Sequence, residues 1–137
     1  MTVGQETLLE PVRVVIVDDV ADVRDGLARL LERLGIAVVG VAADGLEAIQ
    51  VVAVMRPQVV IMDLRMPRMD GIAATREILA RHPGMAVLML SAYGDESLTI
   101  DALMAGAHGY LLKGVPAREL VTAIVRAAAS RVRPPAR

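Results

Sequence analysis

At 137 residues the chain has the length of one ordinary domain, and a 55% share of apolar residues implies a well-buried core. A net charge of −1 without long basic or acidic runs excludes nucleic-acid binding as a property of the whole surface, and the lack of Cys excludes disulfide and thiol chemistry. The apolar runs are too short to span a bilayer, and residues 1–11 lack the basic start and apolar stretch of a signal peptide.

Residues 1–11 read as a polar, flexible leader. Val12–Val17 is a continuous β-branched run, the pattern of a strand covered on both faces, and it ends in Asp18-Asp19. Asp22 is placed to cap a helix bearing Val23, Leu27, Leu30, Leu31 and Leu34, with Gly35 as its stop. Ile36–Val41 is the second strand. Asp44-Gly45-Leu46-Glu47 resembles a capping box and opens a helix with Leu46, Ile49, Val52 and Met55, ended by Pro57. Gln58–Met62 is the third strand, and it runs into Asp63. Asp70 is placed to cap a helix through Ile72, Ile78 and Leu79, closed by His82-Pro83-Gly84. Met85–Leu90 is the fourth strand, followed by Ser91. Asp95 or Glu96 begins a helix through Ile100, Leu103 and Met104, closed by Gly106. His108–Leu112 is the fifth strand, followed by Lys113. Pro116 starts a last helix with Leu120, Val121, Ile124 and Val125 on its apolar face. Residues 12–129 form one unit, and 130–137 read as a linker or disordered tail.

Strict alternation of strand and helix predicts a doubly wound (βα)5 fold, with a parallel sheet between two helical layers and right-handed crossovers. Ligands of such folds bind at the carboxyl ends of the strands. Those ends carry Asp18-Asp19, Asp63, Ser91 and Lys113. A single strand-end Asp is most often a cap, a Ser there a turn former and a Lys there a solvated charge. Five such residues on one edge do not coincide as caps. Asp18, Asp19 and Asp63 make an oxygen-rich pocket suited to a hard divalent cation, for which Mg²⁺ is the fitting ion. With its charge balanced, Asp63 is a nucleophile for an aspartyl phosphate. Ser91 and Lys113 then supply a hydroxyl and a positive charge for the phosphoryl oxygens.

Four stretches resemble the receiver domain of two-component response regulators. They are Val15-Ile16-Val17-Asp18-Asp19, Asp63-Leu64-Arg65-Met66-Pro67-Arg68-Met69-Asp70-Gly71, Leu90-Ser91-Ala92, and Gly106-Ala107-His108-Gly109-Tyr110-Leu111-Leu112-Lys113. The resemblance extends over about residues 12–129. It implies a flavodoxin-like sheet in the order 2-1-3-4-5, with Asp63 as the phosphoacceptor. Asp18 and Asp19 hold Mg²⁺ in that reading, with the backbone carbonyl of Arg65 as a further ligand. Lys113 is the phosphate partner, and Ser91 and Tyr110 are the switch pair. With no Phe and no Trp in the chain, Tyr110 and Tyr93 are its only aromatics. Tyr93, two residues past Ser91, is placed to screen an acyl phosphate from water.

The run from Gly109 to Lys113, with Arg118-Glu119-Leu120 and Ala123-Ile124, is similar to the NarL/FixJ (LuxR-type) subfamily. That likeness implies a sensor histidine kinase as partner and a C-terminal DNA-binding domain in the full-length protein. The lack of Cys fits a reducing cytoplasm, and the charge pattern and short apolar runs lead to no expectation of direct nucleic-acid binding or membrane contact by these residues. The face of the fourth helix, fifth strand and fifth helix is the expected homodimer surface, with Ile100, Leu103, Met104, Val121 and Val125 as its apolar candidates. Enzymatic activity is not expected beyond the chain's own phosphorylation and dephosphorylation. A second reading is a stand-alone receiver acting through protein contacts or in a phosphorelay.

One position departs from the family pattern. Receivers commonly follow the lysine with a cis proline, and here Gly114 stands there. A non-proline cis bond costs roughly 3–4 kcal/mol, so the loop either bears that strain or is trans. Other uses of Asp chemistry fit less well. A dehalogenase-type phosphatase needs Asp-x-Asp, where this chain has Asp63-Leu64-Arg65. A flavodoxin-like cofactor binder needs a Ser, Thr or Gly-rich phosphate loop after the first strand, where this chain has two carboxylates. A degenerate receiver would lack one of the five site residues, and all are present.

Overall fold

In a computed structural model of the chain, which describes residues 10–92, 94 and 96–130, strands and helices alternate throughout. They are β1 (Arg13–Val17), α1 (Ala21–Arg33), β2 (Ala37–Ala42), α2 (Gly45–Met55), β3 (Val59–Met62), α3 (Gly71–Arg81), β4 (Ala86–Ser91), α4 (Glu96–Met104), β5 (Gly109–Leu112) and α5 (Ala117–Ala129). Tyr93, the cap expected of Asp95, most of the leader (residues 1–9) and residues 131–137 of the tail lie outside the described residues. Every strand pairing is parallel, and the order is β2-β1-β3-β4-β5, the order the resemblance implies.

The β-branched runs make strands because both of their faces are covered. Val15, Val17, Val60, Met62, Val87 and Met89 pack under α2, α3 and α4, against Ala48, Ile49, Val52, Ala74, Ile78 and Ala102. The alternate residues Val14, Ile16, Val59, Ile61, Leu88 and Leu90 pack under α1 and α5, against Leu31, Leu120, Ile124 and Ala127. Two apolar layers therefore grip one sheet. The edge strand β2 carries a bulge, because Val14 pairs with Val38 but Val15 pairs with Gly40. The skipped residue, Val39, joins the layer under α2, next to Val51 and Met55.

Asp44 and Asp70 cap as expected, with side chains accepting from the Glu47 and Ala73 N–H groups at 2.9 and 2.8 Å. The Glu47 side chain accepts from the N–H of Ala43, one residue before the N-cap, so the reciprocal bond of a capping box falls one residue short. Asp22 does not cap. Val20 is the N-cap of α1, its own N–H taken by Asp18 Oδ1 at 2.9 Å, and Asp22 lies in the first turn. There its charge still suits the helix dipole.

Two helices bury less than their sequences suggest. In α1 only Leu31 is fully buried, while Val23 and Leu30, and Leu34 just past its end, are 40–45% exposed. In α4 Ala102 is buried and Leu98 packs on the core, but Ile100, Leu103 and Met104 face solvent. A helix at the margin of a sheet touches it along one narrow stripe, and its remaining apolar residues stay outside.

All peptide bonds among the described residues are trans, and Gly114 has φ +98°. The loop after Lys113 thus bends through a left-handed glycine in place of a cis proline, a conformation that costs glycine little.

Ile61 is 1% exposed and sits midway along the central strand. Ile61→Ala should cost about 3 kcal/mol. Urea unfolding checks this, with a lowered midpoint and an unchanged slope expected.

Candidate functional site

The strand order puts β1 and β3 side by side, with Val17 opposite Met62. Asp18 and Asp63, the next residue on each strand, therefore emerge as neighbours. Backbone bonds lock both positions. The Asp18 N–H donates to the Ala42 carbonyl at 3.1 Å, and the Asp63 N–H donates to the Val17 carbonyl at 2.9 Å. Asp18 and Asp63 are buried and Asp19 is exposed. One carboxylate oxygen from each of the three lies within 4.8 Å of the others.

Lys113 reaches into this cluster from the end of β5. Its Nζ is 2.8 Å from Asp18 Oδ2 and 3.4 Å from Asp63 Oδ1. Its N–H donates to the Ser91 carbonyl at 2.7 Å, which ties its backbone to β4. Ser91 is fully buried. It follows Met89 by two residues, so strand alternation sets it on the sheet face under α2, α3 and α4. Tyr110 packs on that same face, half-buried, in register with Met89. Arg65 lies exposed in the loop after Asp63. The residues singled out in the sequence thus gather at one edge, with Tyr110 one strand step below it.

The electrostatics follow from crowding. Burial, and then the charge of Asp18, push the Asp63 carboxyl up to about 6. The Lys113 ammonium and the Leu64 N–H, which donates to Asp63 Oδ1 at 2.9 Å, oppose that rise. Burial pulls the Lys113 ammonium down, but its hydrogen bond to Asp18 and the charges of both carboxylates leave it above its ordinary value. Three carboxylates facing one ammonium are still short of positive charge. An all-oxygen donor set of this kind fits a hard divalent cation, Mg²⁺ in particular.

Several structural parts of the site were not singled out in the sequence. Arg24 Nη1 donates to the Asp18 carbonyl at 2.9 Å and holds the loop after β1. Gly71 packs so closely that a Cβ there would collide with the Asp63 carbonyl oxygen, and its N–H donates to the Leu64 carbonyl at 2.7 Å. Arg68 pairs with Asp44 across from the next turn. The Asp70-Gly71 dipeptide carried a sequence signal of its own. The two arginines carried none, because Arg68 meets a distant turn and the bond of Arg24 to the nearby Asp18 carbonyl depends on how the loop after β1 bends.

Comparison with known proteins bears on this site. The family model described as response regulator receiver domain matches residues 14–125. The transcriptional regulatory protein DegU of Brevibacillus brevis is 39% identical over 82% of this chain and 48% of its own length. The chemotaxis protein CheY of Thermotoga maritima is 36% identical over 82% of this chain and 93% of its own length. A crystal structure of a LuxR-family two-component response regulator from Aurantimonas sp. SI85-9A1 superposes with a TM-score of 0.84 and 38% identity, over 89% of this chain and 88% of that one. The chain spans about half the length of the regulators first among its curated relatives.

Raising the Asp63 carboxyl from 3.8 to about 6 means the folded state holds that proton more tightly than the unfolded state. Stability contributed by the protonated form is therefore lost as pH rises from about 4 to about 6. In metal-free buffer, Asp63→Asn should raise Tm by about 4 °C at pH 7.5, roughly 1 kcal/mol after solvent screening, and by nothing at pH 4. Thermal melts across that range check it, and an advantage that is flat with pH would contradict the electrostatic account.

Proposed function

The chain belongs to the response regulator receiver domain family, and we propose that residues 12–129 form a phosphorylation-dependent signalling switch with Asp63 as phosphoacceptor. One observation carries the reading. Three carboxylates converge within 4.8 Å at the carboxyl edge of the sheet, with the Lys113 ammonium 2.8 and 3.4 Å from two of them. A purely structural lysine needs one partner, and a purely structural carboxylate cluster is a cost.

Asp63 Oδ attacks the phosphorus of a sensor kinase's phosphohistidine. An O–P bond forms, the P–N bond breaks, and the imidazole leaves with the electron pair and takes up a proton. At neutral pH an Asp63 carboxyl near 6 is mostly ionised, so the nucleophile is available. Asp18, Asp19 and Asp63, with the Arg65 carbonyl, would hold Mg²⁺, which supplies positive charge against the phosphoryl oxygens. Lys113 neutralises a further oxygen and already stands between Asp18 and Asp63. Ser91 offers its hydroxyl from the neighbouring strand end. The protein has no substrate to turn over and promotes only its own phosphorylation and dephosphorylation.

The phosphoryl group brings added negative charge and acceptor oxygens to the pocket. Ser91 moves toward it, and Tyr110 turns into the space released. The face of α4, β5 and α5 then shifts population between two packings. That face exposes Ile100, Leu103, Met104, Leu112 and Val125, which supports it as a homodimer surface.

The output we infer is a C-terminal DNA-binding domain. The support is that relatives such as DegU are named transcriptional regulatory proteins and are about twice as long as the match. The protein would then work in the cytoplasm beside its kinase. A stand-alone receiver is the second reading, favoured by the match to nearly the whole of CheY.

Incubation with acetyl phosphate and Mg²⁺ should add one phosphoryl group by mass, and Asp63→Asn should take up none. Uptake by that variant, or none by the parent where a control receiver is labelled, would defeat the assignment. Mg²⁺ at 100 times its Kd should stabilise the parent by about 2.7 kcal/mol, and Asp19→Asn should lose most of that gain. Tyr110→Ala should accept phosphate at the parent's rate, yet no longer dimerise or bind a partner in response. Full coupling in that variant would move the switch elsewhere.

A further inference from the structure

The loop between β3 and α3 starts at Asp63 and carries Arg65. Its near end is held by the sheet and by α3, through the Asp63 N–H to Val17 and the Gly71 N–H to Leu64. Its far end crosses to a different part of the molecule, the turn between β2 and α2. There the Gly45 N–H donates to the Met69 carbonyl at 3.1 Å. Arg68 Nε and Nη2 both meet Asp44 Oδ2, at 2.8 and 2.6 Å. The other Asp44 oxygen is held by the Glu47 N–H as the cap of α2. Arg68 adopts φ +67°, a left-handed conformation that a non-glycine residue takes only when its surroundings hold it there.

Exposed ion pairs contribute little, because two flexible side chains must be ordered to make them. This pair differs on one side. The Asp44 side chain is 8% exposed and already immobile through its cap bond, so only Arg68 loses freedom. Asp44 also sits two residues past Ala42, whose carbonyl fixes the Asp18 N–H. The pair therefore joins the loop beside Asp63 to the turn that anchors Asp18.

We propose that the Arg68–Asp44 pair is a clamp that positions the loop after Asp63 for the incoming cation and phosphoryl group, with Arg68 a positioning residue for the reaction. The clamp rests on the phosphoacceptor reading above. It acts through the loop backbone, and Arg68 itself touches neither Asp63 nor Lys113. Its effect falls on how readily the cation is taken up, since the loop carries one of that ion's expected oxygen ligands, while the nucleophile and Lys113 are held by other elements.

Two variants separate the clamp from its structural by-products. Asp44→Asn keeps the cap, because Asn caps a helix as well as Asp does, and removes the charge. Arg68→Gly keeps the left-handed backbone and removes the guanidinium. Phosphoryl uptake from acetyl phosphate is followed by mass against Mg²⁺ concentration. Each variant should need about fivefold more Mg²⁺ for half-maximal rate, with a saturated rate within twofold of the parent. The double variant should need no more than the weaker single one, as for two residues acting as a unit. Arg68→Lys should recover part of the shift. Amide exchange supplies an arm that needs no chemistry. The Gly45 and Gly71 amides should exchange about tenfold faster in both variants, with β4 and α5 unchanged. Unchanged Mg²⁺ dependence together with unchanged exchange at those amides overturns the clamp. A parent that takes up no phosphoryl group defeats the function reading instead, and the exchange arm then decides the clamp by itself.

Discussion

The Lys113 ammonium between the Asp18 and Asp63 carboxylates is the interaction on which the rest of the structure turns. Two carboxylates buried side by side at the ends of adjacent strands repel each other in a medium that screens them poorly. The fold tolerates them because β5 delivers a cation from the far edge of the sheet. Delivery depends on β4, since the Lys113 backbone is tied to the Ser91 carbonyl. The trans loop through Gly114 then lets the chain turn away without disturbing the lysine. One ammonium cannot neutralise three carboxylates. Burial, and then the charge of Asp18, hold the Asp63 carboxyl raised, and the shortage of positive charge makes the pocket receptive to a divalent cation.

Precision at the site comes from the backbone rather than from the charged groups. The carbonyls of Ala42 and Val17 seat Asp18 and Asp63. Arg24 holds the Asp18 carbonyl, and Gly71 lets α3 approach the Asp63 carbonyl to a distance no other residue would allow. Arg68 and Asp44 extend this bracing to the second turn of the edge. A charged pocket of this kind stays ordered because the loops after β1 and β3 are each fastened by more than one hydrogen bond. The carboxylates can then keep their mutual repulsion without the loops giving way.

The outer face follows a different logic. Helices α1 and α4 bury one narrow stripe each, through Leu31 and Ala102, and leave larger apolar residues in solvent. Leu112, paired with Ser91 at the end of β5, is exposed as well. A marginally packed helix can shift at small cost, whereas the doubly covered β1, β3 and β4 cannot. In the proposed switch, input and output would thus be built from parts of opposite stiffness, with Ser91 on the rigid side and Tyr110, half-buried on the edge strand, at the boundary.

Much of this was legible in the sequence. Continuous apolar strands announced a parallel sheet, because only a doubly covered strand can be apolar on both faces. The Asp, Ser and Lys at the strand ends announced one shared polar edge, because parallel strands end together. Asp44 and Asp70 announced their caps through local hydrogen bonding that needs no distant partner. Where the reading missed, the missing quantity was three-dimensional. Asp22 does not cap because the N-cap position already falls at Val20, whose N–H donates to the Asp18 carboxylate. Leu30, Ile100 and Leu103 stayed outside because periodicity reports that a helix has an apolar face, not how wide a stripe its neighbour covers. The pairing of Arg68 with Asp44 depends on which turns lie together, and that of Arg24 with the Asp18 carbonyl on how the loop after β1 bends. Composition, periodicity and strand-end chemistry are local properties, so the sequence by itself determined the architecture and the shared polar edge. The balance of charge within that edge and the bracing of its loops depend on distances between residues far apart in the chain, and only the tertiary structure decided them.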